Sequence, residues 1–165
     1  MADNQQLLAR LDKLRGSRTV IVGIGNILKG DDAAGPLICQ QLTDAVIDAE
    51  IIDAGTVPEN YIGTIIKKAP QNLLVIDAVD FQAQPGAVKL FRAEQLSSFA
   101  LSTHTLSPHL FVDTIVKQTN AEVYFIGIQP AQTGLAQSMS PPVSKTCRRI
   151  AAQLIELFAE KNDVR

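Results

Sequence analysis

The stretch Val20-Ile21-Val22-Gly23-Ile24-Gly25-Asn26-Ile27-Leu28-Lys29-Gly30-Asp31-Asp32 constrains the fold more than any other part of the chain. Its unbroken apolar start suits a central strand buried on both faces, as in a parallel sheet. The run ends in a glycine-rich loop that delivers two adjacent carboxylates to the start of a predicted helix. A second apolar run, Leu73-Leu74-Val75-Ile76, also ends in an acid, Asp77. In open parallel sheets ligands gather outside the carboxyl ends of the strands. Two acids at two strand ends therefore mark a candidate site between them.

The remaining elements follow in alternation. Leu7, Leu8, Leu11 and Leu14 form an apolar stripe at helical spacing, with Asp3 as an expected cap, Gln6 three residues on, and Gly16 as the stop. Helices are predicted over Ala33 to Leu42, from Pro58 to Pro70, from Pro108 (capped by Ser107) to Val116, and from Pro141 to about Ala159. Strands are predicted at Thr19 to Gly23, Glu50 to Asp53, Leu73 to Ile76, Ala87 to Phe91 and Glu122 to Ile128. Gln84-Pro85-Gly86 reads as a turn, because Pro sets one position and Gly accepts positive φ at the next. The short gap after it predicts a strand antiparallel to its predecessor. A short helix over Glu94 to Phe99 and a loop over Leu101 to Thr105 complete the reading.

The expected fold is α/β: a three-layer αβα sandwich around a twisted, mostly parallel sheet with one antiparallel strand, helices on both faces. No repeat or linker interrupts the 165 residues, which are expected to form one domain, 1–16 as an N-terminal helix and 19–160 as the core.

Composition narrows the function. A formal net charge of -2 argues against a nucleic-acid binder. Cys39 and Cys147 are the only cysteines, far apart and in apolar, helix-like surroundings, which is no disulfide framework and no CxxC motif. A reducing, cytoplasmic location is the expectation. No apolar run approaches a membrane span, and the polar N-terminus does not read as a signal peptide.

The glycine loop departs from both common phosphate-binding patterns. GxGxxG fails because Leu28 stands where the third glycine belongs, and GxxxxGK[ST] fails because Asp31-Asp32 replace Lys-Ser/Thr. Two carboxylates would repel the phosphate that such a loop cradles. A helix N-terminus favours a carboxylate, so one of the pair can be a cap and the other is surplus to capping. Asp77 can satisfy loop amides or face a ligand, and Asp80 can take over the first role. Asp53, followed by Gly55 and Thr56, carries the same ambiguity. His104 and His109 are the only histidines, and His104 sits among Ser102, Thr103 and Thr105 before a predicted helix. A serine-hydrolase elbow is absent. Two acids and one imidazole would suit a borderline metal such as Ni, Zn, Mn or Co.

The ordered set Gly23-Ile24-Gly25-Asn26-Ile27-Leu28-Lys29-Gly30-Asp31-Asp32-Ala33-Ala34-Gly35, Asp53-Ala54-Gly55-Thr56, Val75-Ile76-Asp77-Ala78-Val79-Asp80, Gln84-Pro85-Gly86 and Ser102-Thr103-His104 resembles the [NiFe]-hydrogenase maturation endopeptidases. Val57-Pro58-Glu59-Asn60 and Phe125-Ile126-Gly127-Ile128-Gln129-Pro130 resemble the branch serving formate-hydrogenlyase-type (hydrogenase 3) large subunits. The resemblance implies an endopeptidase that removes a C-terminal extension from the large-subunit precursor after nickel insertion; nothing in the sequence demands a dimer, and a monomer is the expectation. It maps the metal-contacting and catalytic positions onto Asp32, Asp77 and His104, and substrate selection onto the loop at Asp53, Gly55 and Thr56. Many members carry Glu where Asp32 stands. The nickel would arrive with the substrate, and zinc or cadmium could replace it in crystals. Either the ion polarises the scissile carbonyl or activates water, or it only positions the peptide while an Asp acts as general base. Rival readings are a nucleotide-binding α/β protein, a non-catalytic precursor or metal chaperone, and a metal-dependent hydrolase of small substrates.

Overall fold

The computed structural model describes residues 2–98 and 107–159. Strands β1 (Thr19–Ile24), β2 (Glu50–Gly55), β3 (Asn72–Ala78), β4 (Val88–Phe91) and β5 (Glu122–Ile128) form one sheet in the order β2-β1-β3-β5-β4. Every pair is parallel except β4 with β5. Helices α1 (Ala2–Leu11), α2 (Ala34–Asp44), α3 (Ile62–Lys67), α4 (Pro108–Thr119) and α5 (Pro141–Leu157) cover the two faces. The αβα sandwich expected from the sequence is what forms.

Side-chain alternation along the central strands divides the core into two layers. Ile21, Leu74, Ile76, Ile126 and Ile128 meet α1, α2 and α5 on one face. Val20, Val22, Leu73, Val75 and Phe125 meet α3 and α4 on the other. Successive strand residues point to opposite faces, so an apolar residue at every position is what a strand covered on both sides requires. β1 and β3 are buried throughout. The chain moves from β1 outward to β2 through α2, then reverses across β1 to β3 through α3. Right-handed crossovers put helices on opposite faces when the direction along the sheet reverses. The reversal leaves a crevice at the carboxyl ends of β1 and β3, the switch point where α/β sheets hold ligands.

Local chemistry accounts for most boundaries. The N–H of Ala87 donates to the Gln84 carbonyl at 2.9 Å, and Gly86 has φ 83°, which makes the expected turn type II. Ser107 caps α4, its hydroxyl accepting from the Leu110 N–H at 3.2 Å. On α5, Val143, Ile150, Leu154 and Leu157 are all buried as the stripe predicts.

Strand β4 runs opposite to β3, as expected, and β5 lies between them as its hydrogen-bonded partner. Of the two, β5 is apolar on both faces and takes the inner place, while β4, bearing Lys89, stays at the edge. Leu8 is exposed, so the buried stripe consists of Leu7 and Leu11 on α1 and Leu14 in the 3-10 turn after it. Helix α1 already includes Asp3, which is therefore not its cap. The helices expected from Pro58 and from Glu94 form, the first opening as a 3-10 turn, Pro58–Tyr61, and the second 3-10 throughout, Ala93–Ser98.

Candidate active site at the carboxyl edge of the sheet

The glycine loop turns because Gly25 adopts φ 151°, and a side chain there would also strike the carbonyl oxygen of Asp32. A 3-10 turn, Gly30–Ala33, then leads into α2. Asp31 and Asp32 both lie in this turn, and both are buried. Neither acts as the helix cap allowed by their position, because Lys29 and Ala33 occupy the two N-cap positions. They face different ways instead.

Asp31 is turned toward the loop at 131–140. Its Oδ2 accepts from the N–H groups of Ala131 at 2.8 Å and Gln132 at 3.0 Å and from the Ser140 hydroxyl at 2.8 Å. Its Oδ1 accepts from the Ser140 N–H at 2.7 Å. Asp32 Oδ2 accepts from the Asn26 N–H at 2.9 Å, within the glycine loop. Asp32 also lines a cavity of about 220 Å³ together with Ala78, Asp80, Gln129 and the start of the 131–140 loop. The capping role expected for one of the pair does not form: Asp31 holds a distant loop instead, and Asp32 lines the cavity.

Asp77 is buried near the end of β3, opposite Gly127 of β5. It lies one residue beyond Ile76, whose register partner on β1 is Gly23. Asp32 and Asp77 therefore share the carboxyl edge at the β1/β3 switch point. Asp80 takes the role of satisfying loop amides: its Oδ1 accepts from the Gln82 N–H at 3.0 Å and from Gln129 Nε2 at 3.1 Å. The Gln82 bond first, then the Gln129 bond, hold the Asp80 carboxyl below its ordinary pKa of 3.8. His104, with Ser102, Thr103 and Thr105, lies outside the described residues. His109 is exposed on α4. No group of three His, Cys, Asp or Glu side chains able to hold a metal ion occurs among the described residues.

The Asp53-Gly55-Thr56 segment ends β2, beside β1. Asp53 Oδ1 accepts from the Gly55 N–H at 3.1 Å, and the Gly55 carbonyl accepts from the Gly25 N–H at 2.9 Å, tying this loop to the glycine loop. Asp53 and Thr56 are exposed. Asp53 opens into a separate groove of about 650 Å³ with Ile27, Pro36, Gln40 and Met139.

Gln129 carries a role that its sequence position did not suggest. It is buried, its Oε1 accepts from the N–H groups of Phe81 at 2.9 Å and Ala83 at 3.2 Å, and its Nε2 donates to Asp80 and to the Pro130 carbonyl. One amide thus fixes the loop after β3 at the mouth of the cleft. Gln129→Ala should cost about 1–3 kcal/mol, the range for leaving buried polar groups unsatisfied. A urea melt would show it as a lower midpoint at unchanged slope.

The cysteines are not nucleophiles here. Burial first, then the Asp53 charge, push the Cys39 thiol up from 9.0 to about 12. Burial first, then the Asp31 charge, raise Cys147 from 9.0 to about 12. The thiolate is the reactive form, so neither thiol should react with a disulfide reagent at pH 8 until the protein unfolds. Because both values are raised on folding, the stability they carry is whole below pH 9 and is lost as pH rises toward 12. A denaturation series from pH 8 to 11 should show stability falling with pH.

The family model for hydrogenase maturation proteases matches residues 36–157. The chain belongs to the hydrogenase maturation protease family. A putative hydrogenase maturation protease from Methanocaldococcus jannaschii is 32% identical over 160 residues, 91% of this chain and 94% of the relative. The hydrogenase 3 maturation protease of Escherichia coli K12 is 31% identical over 137 residues, 82% and 87% of the two chains. Among solved structures, the [NiFe] hydrogenase maturation protease HycI from Thermococcus kodakarensis superposes with a TM-score of 0.83 at 32% identity, covering 90% of this chain and 97% of that one. The family is one of proteases, which places this chain among the peptide hydrolases. No helix among the described residues is long and apolar enough to cross a membrane.

Proposed function

We propose that the chain is an endopeptidase that removes the C-terminal extension of a [NiFe]-hydrogenase large-subunit precursor after nickel insertion, recognising the bound metal through Asp32, Asp77 and His104. The observation that carries the reading is the placement of Asp32. It is a buried carboxylate, oriented by the Asn26 N–H, lining a cleft at the switch-point edge that Asp77 shares.

The nickel belongs to the substrate in this reading. Carboxylate oxygen and imidazole nitrogen suit nickel and leave positions for the precursor's own ligands. The two cysteines are buried and protonated near neutral pH, so they do not compete for the ion. The cleft mouth is lined by polar residues on hydrogen-bonded loops, which suits an extended peptide. Asp53, Gly55 and Thr56, tied to the glycine loop from the β2 side, serve substrate selection.

The test compares nickel-loaded with nickel-free precursor. The proposal predicts loss of the C-terminal peptide from the loaded form only. Equal cleavage of both would overturn metal recognition. A stable complex with unchanged precursor mass would favour a non-catalytic chaperone.

A further inference from the structure

The loop at 131–140 has no regular secondary structure of its own, yet it is strongly tied. Besides the four bonds to the Asp31 carboxylate, the Asp31 N–H donates to the Gln132 carbonyl at 2.8 Å, Gly30 N–H to Gln137 at 3.1 Å, and Ala136 N–H to Leu28 at 2.8 Å. A side chain at Gly30 would meet the Gln132 carbonyl at 2.7 Å, so the two loops are in backbone contact. The held segment supplies Ala131, Gln132 and Thr133 to the cleft that Asp32 lines.

We propose that Asp31 is a positioning residue: it clamps the 131–140 loop to the glycine loop, so that residues 131–133 stand as a pre-formed wall for the precursor's C-terminal segment. The inference rests on the endopeptidase reading and adds a residue role to it. A carboxylate suits the task because all four partners are donors, and charge-assisted bonds are the strong ones. One residue holds both ends of the loop, Ala131 and Gln132 at one and Ser140 at the other. Asp31 acts through the loop, whereas its neighbour Asp32 faces the cleft. A pre-formed wall spares the substrate the cost of ordering the loop on binding, so its loss should weaken binding more than turnover.

The experiment uses Asp31→Asn and Ser140→Ala in the full chain, with amide exchange and steady-state cleavage of the nickel-loaded precursor. In Asp31→Asn the new NH2 faces a donor N–H, and an amide cannot accept from all four groups. Exchange at Ala131, Gln132 and Ser140 should speed up by about tenfold or more, with β1 and β3 unchanged, on the scale of one lost bond to a charged group. KM should rise by about tenfold while kcat stays within roughly threefold, as expected when binding shared by ground and transition states is removed. Ser140→Ala removes only the hydroxyl bond and should move both readouts less, in the same direction. It keeps the test decisive if Asp31→Asn does not fold. Unchanged loop exchange, or faster exchange throughout the sheet, would overturn the clamp. Unchanged KM with a loosened loop would overturn the wall alone. Failure of the wild type to shorten the precursor would instead sink the endopeptidase reading, and the wall with it.

Discussion

Asp32→Asn is expected to slow cleavage of a nickel-loaded precursor by about 10²–10⁴-fold, the span associated with a positioned acid–base group. The same substitution should leave the thermal midpoint nearly unchanged. Asn keeps a carbonyl oxygen that can accept from the Asn26 N–H, the bond that orients Asp32. What it loses is the negative charge offered to the cleft. Single-turnover cleavage followed by mass spectrometry, with a melt on the same sample, separates the two effects. Activity within threefold of wild type would show that this carboxylate does not act on the substrate. Loss of activity with a collapsed melt would show that Asp32 matters for folding instead.

Gly35→Ala should destabilise the protein by about 2–3 kcal/mol, toward the upper end of the usual overpacking cost. At about 2–4 °C per kcal/mol for a chain of this size, the midpoint should fall by roughly 5–10 °C. Helix α2 lies against the ends of β1 and β3, and a methyl group at position 35 would strike the carbonyl oxygens of Ile24 and Ile76. Both contacts are backbone atoms of the central strands, so no side chain can rotate away. The sign makes the test sharp. In an open helix position Gly→Ala would stabilise by up to about 1 kcal/mol. A raised midpoint would contradict the close packing. Because α2 begins directly after the turn that carries Asp32, the lifted helix should also reduce activity.

The parts of the fold that were legible are those set by near neighbours in the sequence. A strand apolar at every position must be covered twice, and β1 and β3 are. Gln84-Pro85-Gly86 contains the φ preferences of its own turn, and Ser107 precedes the helix it caps. What was not legible depends on residues far away along the chain. Asp31 and Asp32 look equivalent in sequence, and their division of labour is decided by Ala131, Gln132 and Ser140, about a hundred positions later. Gln129 gave no signal because a buried amide is defined by its partners, and those lie on the loop after β3. The direction of β4 was legible from the short turn before it, whereas its partner was not, because β5 comes later in the chain. That Asp77 and the acid-bearing turn after β1 lie at one edge of the sheet was legible because parallel strands bring their carboxyl ends together. His104 stands on motif resemblance and on no geometry.

The most direct test of the proposed activity is the intact mass of a nickel-loaded large-subunit precursor after incubation with wild-type protein and with Asp32→Asn, Asp77→Asn and His104→Ala. The prediction is loss of one C-terminal peptide with wild type and an unchanged mass with each variant. Cleavage by all four proteins would keep the protease and contradict the site, whereas an unchanged mass with wild type would contradict the activity itself.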